Sequence, residues 1–97
     1  MSGSPAPSQP RYLVEWYQPA LSGEMLDRAV DQIGRSAAEV SEQGNAVELV
    51  LTLFMPDDEV AFGLFAAGSP ASVEQACRRA ALPFERITRA ITGHGYH

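Results

Sequence analysis

The fold is decided by residues 47–67, which read VELVLTLFMPDDEVAFGLFAA. Two runs that are rich in β-branched and aromatic residues flank a polar turn, and this pattern predicts a β-hairpin. Both runs are apolar at odd and even positions alike, although alternate residues of a strand face opposite sides of a sheet. Both sides of the predicted sheet must therefore be covered, and a single layer of helices covers one of them.

The segment before the hairpin predicts a strand followed by a helix. Residues 11–17, RYLVEWY, are rich in aromatic and β-branched residues, and Pro19 stops this strand. Ser22 has the side chain of a helix N-cap, apolar residues recur at helical spacing up to Val40, and Gly44 suits a left-handed helix end. We therefore expect a surface helix that buries one apolar stripe.

The segment after the hairpin predicts a second helix and a last strand. Ser69 can cap this helix, and Pro70 suits its first turn, where a missing N–H costs nothing. Pro83 ends the helix, and residues 84–91, FERITRAI, read as a strand that is less apolar than the hairpin and belongs at a sheet edge. The resulting order is that of the ferredoxin-like βαββαβ plait, an α+β fold with a four-stranded antiparallel sheet and two helices on one face.

The predicted plait leaves one apolar sheet face bare. Two copies stacked through these faces would form a dimeric α/β barrel, so we expect a homodimer with a central space between its sheets. Residues 11–92 are expected to form this single domain, with flexible tails at residues 1–10 and 93–97.

Composition excludes several classes of function. A chain of 97 residues with 45% hydrophobic residues and a net charge of -5 fits one globular domain. This acidic charge, without arginines interleaved with aromatics, disfavours nucleic-acid binding. No apolar run approaches the roughly 20 residues that span a bilayer, so we expect no membrane insertion. The single cysteine, Cys77, excludes an internal disulfide and, without a signal-peptide pattern, favours a reducing cytoplasmic location.

Three segments of the chain resemble the small nickel-binding ferredoxin-like proteins, a family best known from actinomycete-type genomes. The segments are residues 11–15 (RYLVE), the entry Ser69-Pro70 into the second helix, and the junction at residues 78–87 (RRAALPFERI). The resemblance extends over about residues 11–91 and implies the same fold and the same dimer.

The chain departs from this family at positions that would donate to a metal. The third strand of the family carries a cysteine and a tyrosine, and its second helix carries a histidine before the Arg-Arg pair. Here these places hold Gly63, Phe65 and Ala76. Ni²⁺ requires imidazole, thiolate or carboxylate donors, and none of these three residues supplies one. We therefore expect no cofactor and retain nickel as a weakly bound alternative.

Glu15 is the first candidate for a ligand-binding residue. A carboxylate in the middle of a central strand must be paired, hydrated or functional. The first strand neighbours the fourth in this topology, so an ion pair with Arg86 or Arg89 is one explanation and a ligand-facing role is the other. Tyr17 and Thr52 are polar residues that could share a cavity with Glu15. Tyr17 fits equally well as an aromatic at the end of the strand with its hydroxyl in water.

Aromatic residues of the predicted strands have two possible roles. These residues are Trp16, Phe54, Phe62 and Phe65. Large aromatic side chains dominate cores and dimer interfaces, and the alternative is that they, Phe65 in particular, line an apolar ligand pocket. Gly63 adds slightly to the alternative, because a missing side chain within a strand leaves room for a ligand or for the close approach of another backbone.

The remaining reactive residues favour structural explanations. Cys77 lies on the apolar stripe of the second helix, where buried thiols are inert. His94 and His97 have a spacing that could chelate a metal on a helix, but a glycine-rich tail does not fix their geometry. The acidic residues 57–59 offer too few oxygen donors for a calcium loop and read as a solvated turn.

Two functions are compatible with these features. The first is a non-enzymatic dimer that binds a small ligand, or weakly a metal such as nickel, inside the barrel or at its rim. The second is a cofactor-independent barrel enzyme that resembles small monooxygenases, with Glu15 as general base and Tyr17 or Thr52 orienting the substrate, and it rests on fold analogy. A domain that serves purely for interaction is a third possibility. The sequence contains no catalytic constellation, which favours the first function.

Overall fold

The computed structural model describes residues 9–17 and 22–91. Its elements are β1 (Arg11–Tyr17), α1 (Gly23–Glu42), β2 (Val47–Met55), β3 (Val60–Ala67), α2 (Pro70–Arg79) and β4 (Phe84–Ala90). The strands form one four-stranded sheet in the order β2-β3-β1-β4, and every neighbouring pair is antiparallel. The predicted ferredoxin-like plait is therefore confirmed, with β1 in a central position and β4 at an edge.

The caps that the sequence predicts are present at both helices. The hydroxyl of Ser22 accepts a hydrogen bond from the amide of Met25 at 3.1 Å, and that of Ser69 accepts one from Ser72 at 3.3 Å. Gly44 follows α1 with a φ of 94°, the left-handed conformation that closes a helix. Neither of the helices within residues 22–91 is long and apolar enough to cross a membrane.

The core lies between the two helices and one face of the sheet. On β1, Tyr12, Val14 and Trp16 point into this core and are between 0% and 8% exposed. Because side chains alternate along a strand, Leu13, Glu15 and Tyr17 lie on the opposite face, as the sequence predicts. The buried residues that the helices contribute are Ile33, Ser36, Ala37, Val40, Ser72, Val73, Ala76 and Cys77.

A β-bulge at Val50 resets which way the side chains of β2 point. Before the bulge, Leu49 pairs with Phe65, and after it Leu51 pairs with Leu64. Two residues of β2 therefore advance the pairing by one residue of β3, which reverses the alternation for the rest of the strand. The large side chains that consequently point away from the helices are Leu51, Leu53 and Met55.

Gly63 lies on the side of β3 that faces the helices, among large core side chains. A Cβ atom at this position would lie 3.2 Å from Cε1 of Phe65, 3.5 Å from Cδ1 of Leu49 and 3.5 Å from Cζ3 of Trp16. The space above Gly63 is thus filled by the core. The expectation that it leaves room for a ligand is contradicted by this packing.

We expect Gly63→Val to destabilise the fold by about 1–3 kcal/mol, because the larger side chain overpacks a filled core. Chemical denaturation followed by circular dichroism measures the free energy of unfolding. Gly34→Ala is the control, since a Cβ atom at Gly34 in α1 meets nothing within 4 Å. That variant should instead gain roughly 0.5–1 kcal/mol, because alanine loses less backbone entropy than glycine in a helix. Wild-type stability of the Gly63→Val variant would contradict the close packing.

Candidate functional site

The sheet face that points away from the helices carries exposed apolar side chains, and we call it the open face. On β2, Leu51 is 45% exposed, Leu53 is 55% exposed and Met55 is 45% exposed. The partly exposed apolar residues on the neighbouring strands of this face are Leu13, Val60, Phe62 and Leu64. An apolar patch of this kind is typical of protein–protein interfaces, membrane contacts and ligand-binding grooves.

Polar side chains gather at one end of the open face. Nη2 of Arg86 donates to Oε1 of Glu15 at 3.0 Å, and the Tyr17 hydroxyl donates to Oε1 of Glu59 at 3.1 Å. These two contacts border an open depression with a volume of about 790 Å³, which we call the polar depression. The residues that line it are Glu15, Tyr17, Asp58, Val60, Phe62, Glu85 and Arg86.

The ion pair of Glu15 with Arg86 is one of the two that the sequence predicts. The two residues are cross-strand neighbours on β1 and β4, whereas Arg89 lies opposite Tyr12 and so belongs to the other face. The side chain of Glu15 is 29% exposed and that of Arg86 is 69% exposed. A pair this exposed contributes no more than about 1 kcal/mol to stability. It nevertheless holds the Glu15 carboxylate at a fixed place on the open face.

Tyr17 is tied to the turn between β2 and β3 through Glu59. The hydrogen bond to Glu59, and then the negative charge of that carboxylate, raise the pKa of the Tyr17 phenol above its usual value of 10.0. Both effects favour the neutral phenol, which donates the bond, over the phenolate, which the carboxylate repels. Glu59 has a φ of 53°, a left-handed conformation that is uncommon for this residue type. The contact joins the end of β1 to the hairpin turn.

The structure adds Asp58 and Glu59 to the site, although the sequence predicted a solvated turn at residues 57–59. Tyr17 pairs with Val60 in the antiparallel register of β1 and β3. The residues that precede Val60 therefore lie beside the end of β1. The polar character of the turn is the signal that the sequence offers for these residues. It indicates a place beside Tyr17 only when β1 is known to pair with β3.

Thr52 and Phe65 do not join Glu15 and Tyr17. Thr52 follows the bulge in β2 and pairs with Gly63 on the side that faces the helices. Phe65 is 0% exposed in the core on that same side. The prediction that Thr52 shares a cavity with Glu15 is wrong, because the bulge turns Thr52 to the side of the sheet opposite Glu15.

Among the strand aromatics, three pack toward the helices and one reaches the open face. Trp16 is 1% exposed, Phe65 is fully buried, and Phe54 packs against the same core. Phe62 pairs with Glu15 across the strands and lines the polar depression. The alternative of a pocket-lining aromatic therefore applies to Phe62 and not to Phe65.

Cys77 lies in the core, as predicted. Its side chain is 0% exposed. Burial and, secondarily, the charge of Glu74 raise the pKa of the Cys77 thiol to about 12. The thiol is therefore protonated at neutral pH and unsuited to nucleophilic chemistry.

The described residues do not fit a nickel ion. Within residues 9–17 and 22–91, no group of three or more His, Cys, Asp and Glu side chains is arranged to hold a metal. Gly63, Phe65 and Ala76, the positions where the resemblance places donors, are buried among apolar side chains. His94 and His97 lie outside the described residues.

Comparison with known proteins identifies the fold. Comparisons with protein-family profiles and with curated proteins found no match. Among solved structures, the chain is similar to SCO4226 from Streptomyces coelicolor A3(2), with a TM-score of 0.72. The match covers 87% of this chain and 99% of that chain at 13% sequence identity. At this level of identity, the similarity shows a shared fold alone.

Proposed function

We propose that this protein is a non-enzymatic homodimer that binds a small molecule in the polar depression, where two open faces meet. The observation that carries the proposal is the exposure of Leu51, Leu53 and Met55 on the open face. Each of these side chains is about half exposed in the single chain, so covering it with a second copy contributes roughly 1 kcal/mol. The same contact would remove a large apolar patch from water in both copies.

The lining of the polar depression supports a small amphipathic ligand. Val60 and Phe62 offer an apolar surface, while Glu15, Tyr17 and Arg86 offer a few oriented polar groups. Sites for small molecules combine these two features, because the apolar surface supplies affinity and the polar groups fix orientation. A second sheet stacked about 10 Å from the first would cover this depression and exclude water from it.

The contacts of Glu15 favour binding over catalysis. A general base needs its carboxylate within reach of a proton on the substrate, whereas the Glu15 carboxylate is bound by the Arg86 guanidinium at 3.0 Å. Nickel remains the weaker alternative ligand, because the described residues supply no matching donor set. A reducing cytoplasmic location, compatible with the unpaired thiol of Cys77, belongs to the same proposal.

Native mass spectrometry of the untagged protein, purified without added metal, tests the proposal. The expected spectrum is that of a dimer that retains a small organic molecule. Addition of nickel chloride should leave this mass unchanged. A monomer would contradict the homodimer, and stoichiometric uptake of nickel would contradict the assignment of the ligand.

Dimer formation should not tolerate a charged side chain on the open face. We expect Leu53→Glu to convert the dimer into a folded monomer, because the carboxylate would have to be desolvated in an apolar interface. Size-exclusion chromatography with light scattering measures the mass, and circular dichroism checks the fold. Met25→Glu is the matched control, since Met25 is 39% exposed but belongs to α1. A Leu53→Glu variant that stays dimeric would contradict the proposed interface.

Replacement of Glu15 separates a ligand contact from a structural ion pair. We expect Glu15→Gln to lower the free energy of unfolding by no more than about 1 kcal/mol, because the pair with Arg86 is exposed. The dimer should lose the retained molecule in native mass spectrometry. Glu39→Gln is the control, since Glu39 also pairs with an arginine, Arg79, but lies on the helices and away from the polar depression. Loss of folding in the Glu15→Gln variant alone would show that the carboxylate is structural.

The turn contact of Tyr17 gives a pH-dependent signal. We expect Glu59→Gln to lower the pKa of Tyr17 toward 10.0, because an amide oxygen accepts the phenol hydrogen bond more weakly than a carboxylate does and because the repelling charge is removed. The Cζ shift in ¹³C NMR of ring-labelled tyrosine measures this pKa, with Tyr17→Phe for assignment. The stability from this hydrogen bond is fully present below pH 10.0 and is lost as pH rises through the raised pKa of the folded state. An unchanged titration in the Glu59→Gln variant would contradict the contact.

A further inference from the structure

We infer that the two sheets stack with their two-fold axis running across the strands, so that Arg11 of each copy lies at Glu15 of the other. This inference rests on the proposed homodimer and adds its register. It also makes each polar depression a site built by both copies, because a guanidinium from the second copy joins the carboxylate of the first.

The open face consists of rows of residues that pair across the strands. The central row is apolar on β1, β2 and β3, where it contains Leu13, Leu51 and Leu64, and it ends at Thr88 on β4. One step to one side, Arg11 pairs with Ala66, and one step to the other side, Glu15 pairs with Phe62. Opposite charges on β1 are therefore placed symmetrically about an apolar row.

Two arrangements are available when identical sheets overlap fully in aligned packing, because a two-fold axis between them can run along the strands or across them. With the axis along the strands, β1 of one copy faces β3 of the other. Glu15 would then lie beneath the ring of Phe62 of the second copy, and a carboxylate covered by an apolar ring is penalised. With the axis across the strands through the central row, β1 faces β1, and Glu15 meets Arg11.

The sizes of the side chains favour the same arrangement. The row of Glu15 also contains Phe62 and Arg86, and these are large side chains. The row of Arg11 contains the small residues Ala66 and Ala90 on β3 and β4, and it ends at Glu48 on the edge strand β2. An axis across the strands brings Phe62 and Arg86 of each copy onto Ala66 and Ala90 of the other. Two sheets about 10 Å apart can interdigitate in this way. The same axis places Glu48 opposite Leu53 at the border of the interface, because β2 is an edge strand on which Glu48 is exposed.

The charges of the single chain also fit this contact. Arg11 forms no ion pair with any other residue in the described part of the chain. Glu15 retains solvent exposure beside Arg86, so its carboxylate can accept from a second guanidinium. Two-fold symmetry makes the contact between Arg11 and Glu15 occur twice in each dimer.

A charge exchange between two variants tests this register. One variant carries Arg11→Glu. The other carries Glu15→Arg together with Arg86→Glu, which keeps an ion pair of reversed polarity within its own chain. Each homodimer would then place like charges in contact twice, and we expect its dissociation constant to rise at least about tenfold. In an equimolar mixture the two variants can form a heterodimer. At one of its two contacts the new carboxylate at position 11 of the first variant faces the new guanidinium at position 15 of the second. At the other contact the native Arg11 faces the native Glu15.

Native mass spectrometry of the mixture measures the fraction of heterodimers, and circular dichroism checks that each variant is folded. The inference predicts heterodimers well above the fraction of about half that random pairing gives. Random pairing of variants that dimerise as tightly as the wild type would overturn the inferred register, while the proposed homodimer would stand. A wild-type monomer would overturn both. If the doubly substituted variant fails to fold, the Arg11→Glu variant alone tests the register. An Arg11→Glu homodimer that binds as tightly as the wild-type dimer would contradict the contact between Arg11 and Glu15.

Discussion

Both helices of this chain pack on the same face of a four-stranded sheet, which leaves large apolar side chains of the opposite face exposed in the single chain. The two crossovers of a βαββαβ chain have the same handedness, which places α1 and α2 on one side of the sheet. The hairpin nevertheless carries apolar residues on both of its sides. This conflict between a one-sided layer of helices and a two-sided apolar hairpin is the constraint from which the proposed dimer, its register and its ligand site follow.

The bulge at Val50 determines which large apolar side chains of β2 lie on the open face. A regular β2 would keep Leu49, Leu51 and Leu53 on one side, beneath the helices. The bulge instead leaves Leu49 toward the helices and moves Leu51 and Leu53 to the open face. These side chains lie beside Leu64 and Phe62 of β3, so a scattered set of apolar residues becomes one continuous patch. The polar depression borders this patch, so covering the patch would also close the site.

Much of the fold could be predicted from the sequence, because its signals are local. Ser22 and Ser69 mark helix starts through a hydrogen bond made within three residues, and Gly44 marks an end through its backbone. The neighbourhood of Glu15 and Arg86 follows from topology, which fixes β1 beside β4. The placement of Thr52 could not be predicted in this way. A bulge without a glycine leaves no local signal in the sequence, and this one reverses the side on which Thr52 lies.

Sedimentation equilibrium of the wild-type protein over a range of concentrations tests most directly whether a second copy covers the open face. We expect a reversible dimer of twice the 10.5 kDa chain mass, with less dissociation at higher protein concentration. A single species of 10.5 kDa at every concentration would contradict it, because the exposed apolar face would then be stable in water without a partner.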